Sequence, residues 1–349
     1  MRRALELAER GWGRVHPNPL VGAIVVRGSE IVGEGWHAEF GDLHAETMAL
    51  GEAGDDARGS TLVVTLEPCT HQGKQPPCVD AILRAGVARV LIAARDPDPV
   101  AQGGVARLRA AGVAVEIGML DAEARRQNFR FLRRFAGSDR PFVTVKLAVS
   151  LDGHIADGHG NSRWVSGSEA RAWVHWLRAG YGGIAVGGST ALHDDAHLTV
   201  RGAVTPRTAP ARVVFFGQQP LAALPGILAR DAGVPLMMVF TRAPEPSQQH
   251  ALEAAGATVI VAAGLPEALH ALAAAGVDAL LVEGGGRLAG ALLAAGLVDR
   301  VHQIQAPVWL GGGVPAWSGM PSTTITAAPR WRTVERLALG DDTMLTLEP

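Results

Sequence analysis

The sequence predicts an α/β protein built as two domains. Three observations carry that prediction. The chain has 349 residues, enough for two domains of ordinary size. Its apolar runs alternate with helical stretches ending in glycine, as in Leu83-Arg84-Ala85-Gly86-Val87, Ala110-Ala111-Gly112-Val113, Ala254-Ala255-Gly256 and Ala274-Ala275-Gly276. Glycine closes helices in the left-handed cap, and helix–Gly–strand is how parallel α/β layers connect. A polar, glycine- and proline-containing break, Gly137-Ser138-Asp139-Arg140-Pro141, falls where a boundary is expected, giving domains 1–138 and 139–349.

Composition removes several function classes. The chain is 48% hydrophobic and 19% charged, so it can fill two cores, and its net charge of −2 gives no general attraction to nucleic acid or anionic membrane. No apolar run approaches the roughly 18 residues of a membrane span. The opening stretch Met1 to Arg10 carries acids and reads as a helix rather than a secretory signal. With two cysteines in the whole chain, a reducing, cytoplasmic setting and metal ligation are expected rather than a disulfide framework.

Both cysteines fall in one stretch, and that stretch carries chemistry. It begins His44-Ala45-Glu46 and continues, after a helical segment, as Glu67-Pro68-Cys69-Thr70-His71-Gln72-Gly73-Lys74-Gln75-Pro76-Pro77-Cys78. One imidazole and two thiolates leave a fourth position open, the pattern of a catalytic rather than a structural zinc. Glu46 can stand beside the metal and move a proton without being a ligand. Together these residues form the signature of zinc deaminases, in which water activated on the metal attacks an amino-bearing ring carbon. The strand Thr61–Leu66 delivers Cys69 at its C-terminal end. Cys78 opens a helix whose N-terminus favours the thiolate. His44 and Glu46, two apart, do not share a face of an ideal helix, so both reach one metal only from the helix end.

The remaining elements follow in order. His16-Pro17-Asn18-Pro19 is a rigid loop in which Asn18 reads first as a turn asparagine and second as a reader of a heterocycle edge. Val21–Val26 and Glu30–Trp36 are strands joined by a Gly-Ser turn. Arg125 to Phe135 is basic and aromatic; an interdomain helix with one apolar face explains it better than a nucleic-acid-binding helix. In the second half, Phe142–Ala148, Gly183–Val186 and Ala279–Glu283 read as strands, and Ser168 to Arg178 as a helix capped by Ser168. Thr205 to Pro210 and Arg242 to Ser247 are proline-containing loops. Gly284-Gly285-Gly286-Arg287, between a strand and a helix, suits a phosphate-facing turn, and a plain surface turn accounts for it equally well.

These pieces together resemble the bifunctional deaminase/reductase family of riboflavin biosynthesis. The matching residues run from His16-Pro17-Asn18-Pro19, His37 and His44-Ala45-Glu46 through Glu67 to Cys78, then Lys146 to Gly153, Trp164, Asp194-Asp195, Leu198 to Arg201, and Glu283-Gly284-Gly285. The nine-residue step from Cys69 to Cys78 fits this family and not the Cys-x-x-Cys of cytidine and adenosine deaminases. The resemblance implies a cytidine-deaminase-like three-layer α/β/α domain followed by a dihydrofolate-reductase-like α/β domain. It implies zinc-dependent deamination of a phosphoribosylamino-diaminopyrimidinone, then reduction of the ribosyl group to ribityl by NADPH. By motif, His44, Cys69 and Cys78 would bind Zn2+, Glu46 would be catalytic, and Asn18, His71 and Lys74 would contact the deaminase substrate. NADPH would be held by Ala148, Trp164, Thr190, Asp194, Gly285, Gly286 and Arg287. The reductase substrate would be held by Lys146, Ser162, Arg178, Leu198, Arg201 and Glu283, with Arg178 and Arg201 suited to its phosphate. The implied partners are small phosphorylated pyrimidines, with neither nucleic acid nor membrane, and a homo-oligomer is expected.

The sequence departs from the family at Gln75, Asp98, Tyr181-Gly182-Gly183 and Ala196. Phe215-Phe216-Gly217 lacks the aspartate that normally follows that strand. Three other readings stay open at this point: a deaminase whose reductase domain no longer turns over, a nucleic-acid deaminase, and a binding protein with a structural zinc.

Overall fold

A computed structural model of the chain describes residues 1–193, 196–217, 226–229 and 233–349. Its contacts divide into two compact units, Met1–Ser138 with Pro206–Thr208, and Asp139–Thr205 with Ala209–Pro349.

The first unit contains α1 (Arg2–Ala8), β1 (Gly22–Arg27), β2 (Glu30–Trp36), α2 (Ala45–Ala53), β3 (Thr61–Leu66), α3 (Cys78–Ala85), β4 (Arg89–Ala94), α4 (Gly104–Ala110), β5 (Ala114–Ile117), α5 (Asp121–Gln127) and α6 (Phe129–Arg133). Its sheet order is β2-β1-β3-β4-β5. Strands β3, β4 and β5 run parallel, as the helix–Gly–strand grammar predicts, whereas β1 is antiparallel to both β2 and β3. The antiparallel side arises because two residues, Gly28 and Ser29, suffice to turn β1 into β2, while a parallel pair needs a crossover. Buried Leu62, Val64, Val79, Ile82, Val90 and Ile92 form the centre of the core. Helix α2 lies unusually close to β2. A Cβ added at Gly33 would run into the Ala49 carbonyl, and one at Gly35 into the Ala45 carbonyl. Those two glycines seat the helix that carries the metal-site histidine.

The second unit contains β6 (Phe142–Val149), β7 (His154–Asp157), α7 (Ser168–Arg178), β8 (Gly183–Gly187), α8 (Gly188–His193), β9 (Ala211–Gly217), β10 (Leu236–Phe240), α9 (Pro246–Ala254), β11 (Ala257–Val261), α10 (Leu265–Ala274), β12 (Ala279–Glu283), α11 (Gly286–Ala294), β13 (Arg300–Gln305), β14 (Gly313–Pro315), β15 (Arg332–Leu339) and β16 (Asp342–Glu348). The large sheet runs β11-β10-β9-β8-β12-β6-β13-β16-β15. It is parallel from β11 to β13 and closes with an antiparallel hairpin, β16 and β15. Every residue of β10 and β12 is buried, matching the continuous apolar runs of strands covered on both faces. Edge strand β15 instead carries Arg332, Glu335 and Arg336, charges that discourage further pairing.

Two local expectations change. The segment 125–135 is two short helices, not one. At the break, buried Asn128 accepts the Leu20 N–H through Oδ1 (2.7 Å) and donates to the Leu20 carbonyl through Nδ2 (2.8 Å). Its apolar side is spent within the first unit, where Phe131 joins the cluster of Leu66, Ala93 and Ala94. Ser168 does not cap α7. Gly167 occupies the cap position, and its N–H donates to Asp342 Oδ2 (2.7 Å).

Candidate metal centre and candidate cofactor cleft

The metal-site residues come from three element ends. His44 holds the N-cap of α2 with extended backbone (φ −75°, ψ 156°), so it is out of helical phase, and Glu46 lies in the first turn. That cap geometry is how two residues so close in sequence serve one centre. Cys69 follows β3 across Glu67-Pro68, and Cys78 is the first residue of α3. The ligating atoms of His44, Cys69 and Cys78 all lie within 4.8 Å of one another, the one such group among the described residues. His44 Nδ1 is 3.1 Å from Cys78 Sγ and 3.6 Å from Cys69 Sγ. The Cys78 backbone N–H, at the positive end of α3, donates to Cys69 Sγ (3.4 Å). An imidazole and two thiols converging in a buried pocket fit a zinc-type ion.

The electrostatics are those of a site made for charge. The Cys78 thiol, hydrogen-bonded to Cys69, and the nearby His44 hold the Cys69 thiol well below its ordinary value, against the opposing effect of burial. Cys78 is raised in turn by that contact and by burial. Glu46, 4% exposed, is pushed up to about 7, first by burial and then by Cys69. Beneath the site, the buried Glu67 carboxylate accepts the Gly103 and Val105 N–H groups (3.2 and 3.0 Å) and shapes the adjacent loop. In that loop Asp98 accepts the Val100 N–H and donates its own N–H to Asp96, whose carboxyl is raised to about 6 chiefly by burial.

The predicted substrate residues lie on two loops. Asn18 Nδ2 is 3.0 Å from His37 Nε2, and His37 Nδ1 is 3.1 Å from the Leu43 carbonyl. A carbonyl only accepts, so Nδ1 carries the proton, Nε2 accepts from the Asn18 amide, and Asn18 Oδ1 is left for a ligand. His37, to which the sequence reading assigns no role of its own, therefore sets which end of Asn18 is offered. His71 Nδ1 is buried with no hydrogen-bond partner among the described residues. Lys74 Nζ sits 4.0 Å from the centroid of Phe40, and the departing residue Gln75 donates to the Gly41 carbonyl (3.1 Å).

In the second unit a cleft of about 1800 Å³ opens at the C-terminal ends of the parallel strands, where open α/β sheets bind ligands. Lys146, Ser162, Arg178, Leu198, Arg201 and Glu283 all line it. So do Ala148, Trp164, Thr190, Gly285, Gly286 and Arg287. Asp194, the remaining predicted cofactor residue, lies outside the described residues. Its volume exceeds the few hundred to about 1,000 Å³ of an ordinary ligand pocket, which suits a dinucleotide beside a second molecule. Gly284 and Gly285 have φ of 80° and 83°, and α11 starts at Gly286. The turn therefore brings bare backbone to the cleft, as a phosphate-facing loop requires. Trp164 is 68% exposed, an open stacking face with Arg171 over its ring (4.7 Å).

One expectation changes here. Arg178 does not present its fork to a phosphate. Its Nε and Nη2 grip Glu283 (2.6 and 2.9 Å) and its Nη1 donates to the Thr199 carbonyl (2.7 Å). Burial alone would raise the Glu283 carboxyl, but Arg178 brings it below its ordinary value. Half-buried Lys146 is lowered by burial, an effect Glu283 opposes and Arg178 reinforces. Arg201 is exposed with no acidic partner among the described residues, and its N–H meets His175 Nδ1 (3.3 Å). Sequence reasoning missed His175, although it stands three residues before Arg178 and so on the same helix face. Leu198 has φ of 53°, which a β-carbon resists, and such strain concentrates at ligand sites. Phe216 stacks on Phe240 (5.1 Å, 10°), filling the strand end with apolar surface.

Residues 141–345 match the family described as RibD C-terminal domain, over half of the chain, and residues 1–94 match the cytidine and deoxycytidylate deaminase zinc-binding region. The chain belongs to the RibD family. Its fold is accordingly a deaminase domain followed by a dihydrofolate-reductase-like RibD domain, as the resemblance implies. Similar relatives include the riboflavin biosynthesis protein RibD of Aquifex aeolicus (strain VF5), 47% identical over 216 residues, 62% of this chain and 60% of that protein. RibD of Escherichia coli (strain K12) is 48% identical over 202 residues, 58% of this chain and 55% of that protein. These matches thus span less than two thirds of the curated relatives' length. Solved structures are covered more fully. Acinetobacter baumannii RibD, form 1, aligns over 100% of this chain and 97% of its own, with TM-score 0.79 and 34% identity. A diaminohydroxyphosphoribosylaminopyrimidine deaminase/5-amino-6-(5-phosphoribosylamino)uracil reductase from Thermotoga maritima aligns over the same shares, with TM-score 0.80 and 33% identity.

Proposed function

We propose that this RibD-family chain is a bifunctional enzyme of riboflavin biosynthesis. Residues 1–138 hydrolytically deaminate diaminohydroxyphosphoribosylaminopyrimidine to 5-amino-6-(5-phosphoribosylamino)uracil, and residues 139–349 reduce the ribosyl group of that product to ribityl with NADPH. The observation that carries the reading is the convergence of His44, Cys69 and Cys78 with buried Glu46 beside them.

In the first reaction a ring C–NH2 and water become C=O and ammonia. His44, Cys69 and Cys78 would hold the zinc, which would supply the Lewis acidity that activates water. Glu46, buried next to the ligand residues, takes the proton from water and returns it to the leaving nitrogen. Asn18 Oδ1, turned outward by His37, accepts a ring N–H. His71 and Lys74 take the remaining polar edge and the charged tail.

In the second reaction NADPH supplies the hydride. The Gly285-Gly286-Arg287 turn, Thr190, Trp164 and Ala148, which line the cleft, would hold it; Asp194 belongs to the same assignment. Lys146 lies where Glu283 and Arg178 set its charge, and it meets the sugar oxygens with Ser162 and Leu198 nearby. Arg201 grips the phosphate, while Arg178 acts by fixing Glu283.

The substrates are small molecules. We assign the chain no nucleic-acid or membrane partner, a cytoplasmic site and a homo-oligomeric state, the last open to sedimentation analysis. Among the described residues no helix is long and apolar enough to cross a membrane. The deciding experiment supplies the diaminopyrimidine phosphate with and without NADPH and identifies products by mass. The aminouracil alone without NADPH, and the ribityl product with it, are expected. The aminouracil in both arms would favour the alternative that Phe216 and the other departures have cost the second domain its reduction.

A further inference from the structure

Two cations converge on a single ring in the first unit. Lys74 Nζ lies 4.0 Å from the centroid of Phe40, and Arg207 Cζ lies 4.5 Å from the same centroid. Arg207 sits in the excursion Pro206–Thr208 that packs as part of this unit. Its backbone N–H donates to the Gly13 carbonyl (2.9 Å) and its Nε to the His16 carbonyl (3.1 Å). Those bonds fix the root of the guanidinium and leave its outer nitrogens, Nη1 and Nη2, without a partner among the described residues. Lys74 has no ion pair there either. Of the acids beside Phe40, Glu39 is already held by Arg14 (2.5 and 2.7 Å), and Asp42 pairs with neither cation.

A ring face attracts each cation, but the two cations repel each other, and no carboxylate among the described residues relieves them. The same loop that carries Lys74 also carries His71, whose buried Nδ1 has no partner among the described residues. The cluster thus joins unspent positive charge to an unspent polar atom, four to seven residues before the metal-site Cys78. A dianion matches it: the outer edge of a guanidinium is the geometry that accepts phosphate, and an ammonium adds a point charge.

We propose that Arg207 is a substrate-binding residue of the deaminase site, holding the phosphate of the phosphorylated pyrimidine together with Lys74 across the Phe40 ring. The inference rests on the deaminase reading above. It predicts that this site selects a phosphorylated over a phosphate-free substrate, and that part of the selection comes from a residue distant in sequence from every deaminase motif.

The test measures ammonia release, without NADPH, from the phosphorylated diaminopyrimidine and from its phosphate-free counterpart, using the full zinc-loaded chain. Arg207→Ala should raise KM for the phosphorylated compound about tenfold, the loss of one charge-assisted contact, with kcat nearly unchanged. It should leave the phosphate-free compound unaffected and keep its zinc. Arg207→Lys should recover part of the lost KM. An unchanged KM in Arg207→Ala, or an equal loss on both compounds, would overturn the inference while leaving the deaminase reading intact. No ammonia from either compound with the unmodified chain would bring down the deaminase reading, and this inference with it.

Discussion

The metal centre and the reductase cleft solve the same problem, placing charge inside a protein, in opposite ways. At the metal centre the charged atoms come from residues 44 to 78, and local caps position them: an extended His44 at one helix start and Cys78 at another. In the cleft the charged groups are far apart in sequence, and two of them hold each other. Arg178 grips Glu283 across 105 residues, and Lys146 takes its charge environment from both. The first site brings three metal-type donors together within 4.8 Å. The second is partly set in advance by its Arg178–Glu283 pair, so its ligands meet a preset arrangement. The difference predicts that damage to the first site is chemical and confined, while damage to the second is partly structural.

The largest effect is expected from Cys78→Ser. It should lose most of its zinc and all ammonia release, since a zinc site built on two thiolates loses one of its soft ligands. Full zinc occupancy by elemental analysis would break the assignment of the first site. Next, Glu46→Gln should lower ammonia release by about two to four orders of magnitude, the usual cost of removing a general acid/base. It should keep zinc and still oxidise NADPH when given the aminouracil directly. Loss of both activities in a folded, zinc-loaded variant would mean the two sites are not separate.

Glu283→Ala sharpens the contrast from the other side. Removing one partner of a buried pair leaves Arg178 uncompensated and should destabilise the second unit by about 3 kcal/mol, besides impairing reduction. Denaturation that follows the second unit should reveal it, and an unchanged midpoint would show that the pair is not structural. Arg201→Ala is expected to be milder: folding and ammonia release kept, and KM for the aminouracil raised about tenfold by loss of a phosphate contact.

The smallest effect is in pH. The Glu283 carboxyl lies below its ordinary 4.5 in the folded chain because of Arg178. Its contribution to stability is therefore fully present above pH 4.5 and is lost as pH falls through the lower folded value. Acid titration of the Glu283→Ala variant should lack that part of the loss.

How much of this was readable beforehand differs between the two sites for a physical reason. The His-x-Glu pair, the two cysteines and the strand before Cys69 could be placed from sequence because each depends on bonds within a turn or two of chain. The Gly284–Gly286 turn was readable for the same reason. The engagement of Arg178 was not: a guanidinium reads as a phosphate ligand until its neighbour is known, and the neighbour is Glu283. The break at Asn128 was equally hidden, since the Leu20 backbone that holds it lies 108 residues away. Ser168 looked like a cap because caps are local, yet Asp342, 175 residues distant, took the Gly167 N–H instead.

The sequence by itself thus determined the two-domain α/β plan, the metal ligands and the neighbouring acid, since helix caps, strand periodicity and the chemistry of imidazole and thiolate act over short stretches of chain. Only the tertiary structure decided which end of Asn18 faces outward, which arginine remains available for phosphate, and that Arg207 shares a ring with Lys74. Those outcomes depend on pairing between groups remote in sequence. A charged or amide side chain has several partners open to it, and only folding fixes which one it meets.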